Sequence, residues 1–341
     1  MKSAVFYGEK KLSVEERKRP VVSMGEVLIE VKACGICGTD VHIFEGDEGA
    51  APTPENTVLG HEFAGIVTEI GEGVKELRVG DRVAVDPNAL CGSCYFCQRG
   101  EGHYCEHMVG TGTTVDGGFS QFCLVTPKQL YLLAETTSFS QGAMAEPLSC
   151  CIHGVDLCQI KTGDTVVVVG GGMIGLLNLQ LAKLSGASTI ILIEPIEEKR
   201  QQGLSLGATL TIDPFSENPK DVLSSRQIKN VQVVIECVGR PETIKQSIEL
   251  AGKQGMVMMF GLTKPDEEIT IKPFEFFQKE ITLKSSFINP YTMGRAIDLI
   301  NQGRVDVASM IEEVVPLENL PEILGNQKLR SKGKYIVNPW L

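Results

Sequence analysis

The chain has 341 residues, 43% of them hydrophobic and 22% charged, with 43 acidic against 32 basic side chains and a net charge of −11. That length suggests two domains, and the acidic balance argues against nucleic acid or an anionic membrane surface as a partner. Eleven cysteines and no secretory leader point to reduced thiols in the cytoplasm rather than disulfides.

The N-terminal portion reads as short strands between Gly, Pro and Asp turns, with 27–31, 64–70 and 82–85 as examples. This texture predicts a β-rich, barrel-like unit. Within it, Cys37-Gly38-Thr39-Asp40-Val41-His42 and Gly60-His61-Glu62 offer a thiolate, an imidazole and a carboxylate. Singly, such residues are usually core or surface, so the case for a metal is joint. In a regular strand His61 and Glu62 would point to opposite faces. Both reach one ion only if Gly60 sits in an irregular turn.

Cys91-Gly-Ser-Cys94-Tyr-Phe-Cys97, followed by Cys105, places four thiols in one loop. Two-residue gaps and Gly92 supply the turn that converges soft ligands on a tetrahedral Zn²⁺. Four thiolates close the coordination sphere, so this zinc is expected to be structural. His103 and His107 are read as bystanders.

Beyond residue 164 the texture changes to apolar strands at 165–169, 189–193, 209–213, 231–237, 255–260 and 281–286, with helical stretches such as 176–184 and 242–250 between them. The pattern predicts an α/β unit with a doubly wound parallel sheet. The uncharged run 165–182 is long enough to prompt a membrane check. Its glycine centre and its Asn178 and Gln180 fit a strand–turn–helix instead.

Gly170-Gly-Gly172-Met-Ile-Gly175 follows the first strand and opens a helix, the context in which a G-x-G-x-x-G run means a dinucleotide site. The first glycine permits the tight turn, Gly172 admits the pyrophosphate and Gly175 packs helix on strand. Glu194 ends the second strand, where a carboxylate accepts hydrogen bonds from ribose hydroxyls and repels a 2′-phosphate. NAD is therefore expected over NADP. Lys199 and Arg200 could pair with a phosphate, lie on a solvated helix face or touch the ribose. A segment after Pro290 and a strand at 334–337 close the chain and are expected to return to the first domain.

Gly60-His61-Glu62-Phe-Ala-Gly65, then Gly71 and Val74, together with the cysteine loop and the glycine run, resembles the zinc-containing medium-chain alcohol dehydrogenases, close to the sorbitol (polyol) and threonine dehydrogenase branches. The likeness covers essentially the full length. It implies a GroES-like catalytic domain over 1–147, rejoined by 288–341, and a Rossmann domain over 148–287, with the active site in the cleft between them. It also implies that Cys37 and His61 ligate a catalytic zinc, that Glu62 can also bind it, and that Glu146 matches the acid by which polyol dehydrogenases hold the metal or its water. Asp40 resembles the carboxylate that orients the histidine. Because Cys⁻ and one carboxylate already neutralise Zn²⁺, Glu62 and Glu146 are expected to share or alternate.

Thr39 and His42 match the family's proton relay, and Ile174, Leu262 and Phe287 its coenzyme contacts. The family's zinc acidifies a substrate hydroxyl so that hydride can leave to the nicotinamide. A secondary alcohol in a small polyol or vicinal diol is the expected substrate, with L-threonine or an alditol phosphate as alternatives. Phe287-Ile288-Asn289-Pro290 lacks the Arg-Tyr pair of sorbitol enzymes. Family likeness also implies a homodimer or homotetramer.

Overall fold

A computed structural model describes residues 1–47 and 52–341. Their contacts divide the chain into two units, Met1–Ser149 with Pro290–Leu341, and Cys150–Asn289.

The organising strand of the first unit is Val27–Gly35, which buries Val27, Ile29, Val31 and Cys34 in one core with Phe63, Val67, Val83 and Phe119. Each fully buried side chain of this size contributes about 1.5–3 kcal/mol, so the strands that carry the site are firmly held. Val27–Gly35 pairs antiparallel with Glu62–Ile70, Phe122–Val125 and Lys334–Val337. The pairing with Glu62–Ile70 slips at Leu28/Ile29 and at Val31/Ala33, irregularities that bend a strand pair.

Among the described residues this sheet has seven strands, and the last strand of the chain lies inside it, between Val27–Gly35 and Ile311–Val315. A lysine that opens Lys334–Val337 is thereby carried to the start of the protein, with Ile336 opposite Gly35.

The second unit is a six-stranded parallel sheet of Thr165–Val169 (β1), Thr189–Ile193 (β2), Leu210–Ile212 (β3), Val233–Glu236 (β4), Met256–Met259 (β5) and Thr282–Ser285 (β6), in the spatial order β3-β2-β1-β4-β5-β6. The runs Val-Val-Val-Val and Ile-Ile-Leu-Ile have no polar face, as strands covered on both sides require. The order reverses between β1 and β4, and ligands of such sheets sit beyond the carboxyl ends at that switch point.

The later strands are shorter than their apolar runs because the flanking residues turn away while keeping single bonds to the sheet. Cys237 N–H, one residue past β4, still donates to Val169 O at 2.9 Å. The helix expected at 176–184 begins earlier, as Met173–Leu184 directly on the glycine turn, and the one expected at 242–250 is Pro241–Leu250. Proline fits that first helical position because its missing N–H would have had no helical partner. No helix of the described residues is long and apolar enough to cross a membrane.

Candidate functional site

Cys37 precedes the helix Gly38–Glu45, and its backbone N–H donates to Asp40 Oδ2 at 2.8 Å. Gly60 takes φ +96°, a backbone that favours glycine, and a Cβ there would press on Cys34 Sγ at 2.7 Å and Phe119 N at 2.8 Å. That turn delivers His61 and Glu62 to the mouth of Glu62–Ile70. The ligand atoms of Cys37, His61 and Glu62 lie within 4.8 Å of one another. Asp40, fully buried, holds Oδ1 at 3.3 Å from His61 Nδ1, so Nε2 is the nitrogen left for a metal.

One member of this cluster was not legible in the motifs. Lys334 Nζ pairs with Glu62 Oε2 and donates to Ile36 O at 2.8 Å, with only 3% of its side chain exposed. Burial works against its charge, but Glu62 and then Cys37 outweigh that and hold its pKa above the ordinary lysine value. The only trace in the sequence is a lysine opening the apolar run Lys-Tyr-Ile-Val.

The donor set fits a zinc ion. Glu62 Oε1 is buried with no hydrogen-bond partner, a condition rare for buried polar atoms, while its Oε2 faces Lys334 and His61 Nδ1 faces Asp40. Burial, helped by Glu62, raises the Cys37 thiol pKa. Burial opposes a charge on His61, yet Asp40 and Cys37 outweigh it and raise the imidazole well above its usual value. A thiol, an imidazole and a carboxylate converging out of water call for a cation or for protons, and the mixed soft and borderline donors suit Zn²⁺.

Glu146, buried in the first turn of the helix Ala145–Cys158, is not one of the three clustered ligands. Thr39 and His42 lie three apart on the helix Gly38–Glu45, hence on one face. His42 Nδ1 is 3.4 Å from Asp47 Oδ2.

The sulfurs of Cys91, Cys94, Cys97 and Cys105 also lie within 4.8 Å of one another, with Cys91 Sγ and Cys97 Sγ 4.0 Å apart. Backbone N–H groups already point at two of them, Cys91 N at Cys105 Sγ and Cys94 N at Cys91 Sγ, each at 3.4 Å. Bonds from the Ser93 and Cys94 amides lower Cys91 to about 6. Desolvation leads in raising Cys97 to about 12, and its three neighbouring thiols add to it. Four thiolates at this spacing cannot all ionise without a central cation, and zinc meets that need.

In the second unit Gly170 has φ +98°, and a Cβ on Gly175 would overlap Gly170 O. A Cβ on Gly172 would meet nothing within 4 Å. That open space stands at the N-terminus of Met173–Leu184, where free N–H groups and the helix dipole favour a phosphate, so the residues fit a dinucleotide. Glu194 ends the β2 segment with only 5% exposed. Its Oε2 accepts from Gly171 N–H at 2.6 Å and its Oε1 from Ile196 N–H at 3.0 Å. The middle glycine, to which the fingerprint assigns no role, is thus the one that docks the acid.

Ile174 O accepts from Asn178 Nδ2 at 3.0 Å inside the helix. Leu262 is 64% exposed, and Phe287 and Lys199 are partly so.

The alcohol dehydrogenase GroES-like domain matches residues 23–135, and the zinc-binding dehydrogenase domain matches 174–302. D-arabinitol dehydrogenase 1 of Uromyces fabae is 30% identical over 99% of this chain and 97% of its own. A zinc-binding dehydrogenase of Sinorhizobium meliloti, solved bound to NADP, superposes with a TM-score of 0.94 at 38% identity over 99% of both chains. The alcohol dehydrogenase RspB of Escherichia coli CFT073, solved with NADH, gives 0.90 at 29% identity over 99% of both. Further relatives at 32%, 35% and 33% identity are named sorbitol dehydrogenase, L-threonine 3-dehydrogenase and D-arabitol-phosphate dehydrogenase.

Proposed function

Because this chain belongs to the zinc-containing medium-chain alcohol dehydrogenase family, we propose that it oxidises a secondary alcohol within a small polyol or vicinal diol to the ketone. It is a zinc-dependent, NAD(P)-linked dehydrogenase, and the Glu194 carboxylate supports NAD as the coenzyme. The observation that carries the narrower reading is the acidic character of the metal region. A carboxylate, Glu62, is the third clustered donor, and the family resemblance adds Glu146, buried on its helix, as a second acid for the metal or its water. A carboxylate accepts a hydrogen bond from a hydroxyl neighbouring the reacting one, whereas a simple apolar alcohol leaves that acceptor unpaired.

In this reading Cys37 and His61 hold the metal, and Asp40 fixes the imidazole. When bound there, zinc would supply a Lewis acid for the substrate hydroxyl and the nicotinamide a hydride acceptor. Lys334 balances Glu62, so the second carboxylate does not leave the site anionic. Thr39 and His42 carry the released proton toward solvent. Gly172 and the helix N-terminus receive the pyrophosphate, Glu194 and Lys199 the adenosine ribose, and Ile174, Leu262 and Phe287 flank the coenzyme.

We infer domain boundaries after residues 147 and 287, supported by the two units of the chain. A cytoplasmic location belongs to the same reading, since eleven cysteines in one chain suit a reducing compartment. A homodimer or homotetramer is supported by β6, an edge strand with exposed residues, and by the exposed Phe274 and Phe277 in the same unit.

The second reading, L-threonine or an alditol phosphate as substrate, is favoured by the relatives so named. Initial rates of NAD⁺ reduction across alditols, diols, threonine and alditol phosphates test both. The polyol reading predicts the highest kcat/KM for an alditol or diol. It fails if ethanol or butanol exceeds every polyhydroxylated compound.

A further inference from the structure

Beside the ribose-binding acid stands a cation whose task the sequence leaves open. Arg200 lies in the helix Glu197–Leu206, and its Nη1 donates to Glu194 O at 2.8 Å and to Pro195 O at 2.7 Å. Its Nη2 donates to the Glu197 carboxylate, and Asp213 Oδ2, just past β3, lies 3.7 Å from Nη1. The side chain is 12% exposed. Both Nη1 hydrogens are therefore committed to backbone carbonyls, and the charge is met by two carboxylates. To reach a phosphate the guanidinium would have to abandon all of them, and the part-buried Glu194 carbonyl would be left without its donor.

The same residues form a continuous chain toward the glycine turn. Arg200 holds the Glu194 and Pro195 carbonyls, Glu194 Oε1 and Oε2 are held by Ile196 N–H and Gly171 N–H, and a Cβ on Gly171 would press on Glu194 Cγ at 2.9 Å. We propose that Arg200 is a positioning residue for coenzyme choice: it clamps the 194–195 peptide, which aims the Glu194 carboxylate at the glycine turn and keeps a negative charge where an adenosine 2′-phosphate would enter. The proposal rests on the reading of Glu194 as the ribose-binding acid. It assigns Arg200 to excluding the phosphate, the opposite of what a basic residue after the second strand suggests.

The test is isothermal titration of the zinc-loaded enzyme with NAD⁺ and with NADP⁺, for the parent, Arg200→Gln, Arg200→Lys and Glu194→Gln. Arg200→Gln should narrow the ratio Kd(NADP⁺)/Kd(NAD⁺) by about tenfold, the scale of one lost charge-assisted hydrogen bond, chiefly by weakening NAD⁺. Arg200→Lys keeps the charge without the planar fork, so it should move the ratio in the same direction and by less. If the glutamine variant does not fold, the lysine variant carries the test. A ratio that widens would mean that Arg200 itself binds phosphate, and a lowered melting temperature with an unchanged ratio would mean a merely structural role. Either overturns the proposal. Glu194→Gln separates the two levels: an unmoved ratio there removes the Glu194 reading, whereas a ratio moved by Glu194→Gln and not by Arg200→Gln removes only the role of Arg200.

Discussion

The four-cysteine loop and the Cys37–His61–Glu62 site both gather thiol-bearing donor sets, yet they are built in contrary ways. The loop draws all four ligands from 91–105, exposes Cys91 and orders its sulfurs with its own backbone amides. The other site takes donors from two loops and a counter-charge from the last strand, and it lies among side chains fixed by a seven-stranded sheet. A loop with so little core relies on the metal to be ordered at all. A site walled by strands is ordered already and can hold its metal open for chemistry. Losing zinc should therefore cost structure in the first region and turnover in the second.

The largest effect that would sharpen this contrast is the removal of a buried ligand. His61→Ala should lower kcat/KM by roughly 10³-fold or more, the scale of losing a Lewis acid worth several kcal/mol. Metal analysis should find about one zinc fewer per chain, with the fall in thermal midpoint limited to the cost of leaving the buried Asp40 without its imidazole partner. A comparable loss of folding would break the distinction, since the sheet would then depend on that metal too.

Lys334 gives the next largest effect, on stability. Removing one partner of a buried ion pair typically costs about 3–5 kcal/mol, so Lys334→Met should lower the denaturant midpoint substantially. Adding Glu62→Gln should recover part of the loss, because the stranded charge is gone. If the double variant is no more stable than Lys334→Met, the pair does not bear this energy.

How much of each region could be read beforehand follows the same division. The loop was fully legible because its ligand spacing is local, and the glycine turn because strand, turn and helix are consecutive. Cys37, His61 and Glu62 were legible only as motifs. Their convergence depends on a positive φ at Gly60, and Lys334 reaches Ile36 across a separation of 298 residues. No periodicity reports a strand from the end of the chain inserting beside its start. Arg200 was visible as a charge and not as a role, because the direction of a long side chain is set by acceptors at the ends of two strands.

A smaller effect is expected from the loop. Cys97→Ser should lower the thermal midpoint and remove the loop's zinc, while molecules that remain folded keep the parent's kcat. The serine hydroxyl is a poor zinc ligand, and three thiolates without the fourth hold the ion less tightly. Unchanged thermal stability with full zinc content would defeat the structural assignment. Loss of kcat at unchanged stability would give the loop a share in the chemistry and break the contrast from the other side.

The smallest effect, and the one that reads the buried site most directly, is the pH dependence of its zinc affinity. In the metal-free protein burial and Glu62 raise Cys37, and Asp40 and Cys37 raise His61 despite its burial. Burial thus disfavours the thiolate and Asp40 favours the imidazolium, so a zinc ion must compete with protons for both donors. A raised pKa means that protons compete with zinc up to higher pH, so affinity is greatest above those values and weakens steadily as pH falls below them. Binding should release up to about two protons per zinc, and log K should rise with pH at a slope approaching that number. Calorimetry of zinc binding to the Cys97→Ser protein, which isolates the buried site, in buffers of different ionisation enthalpy measures the release. A release near zero would mean that Cys37 and His61 are already deprotonated in the metal-free site, and that Lys334 alone offsets the charge of its donors.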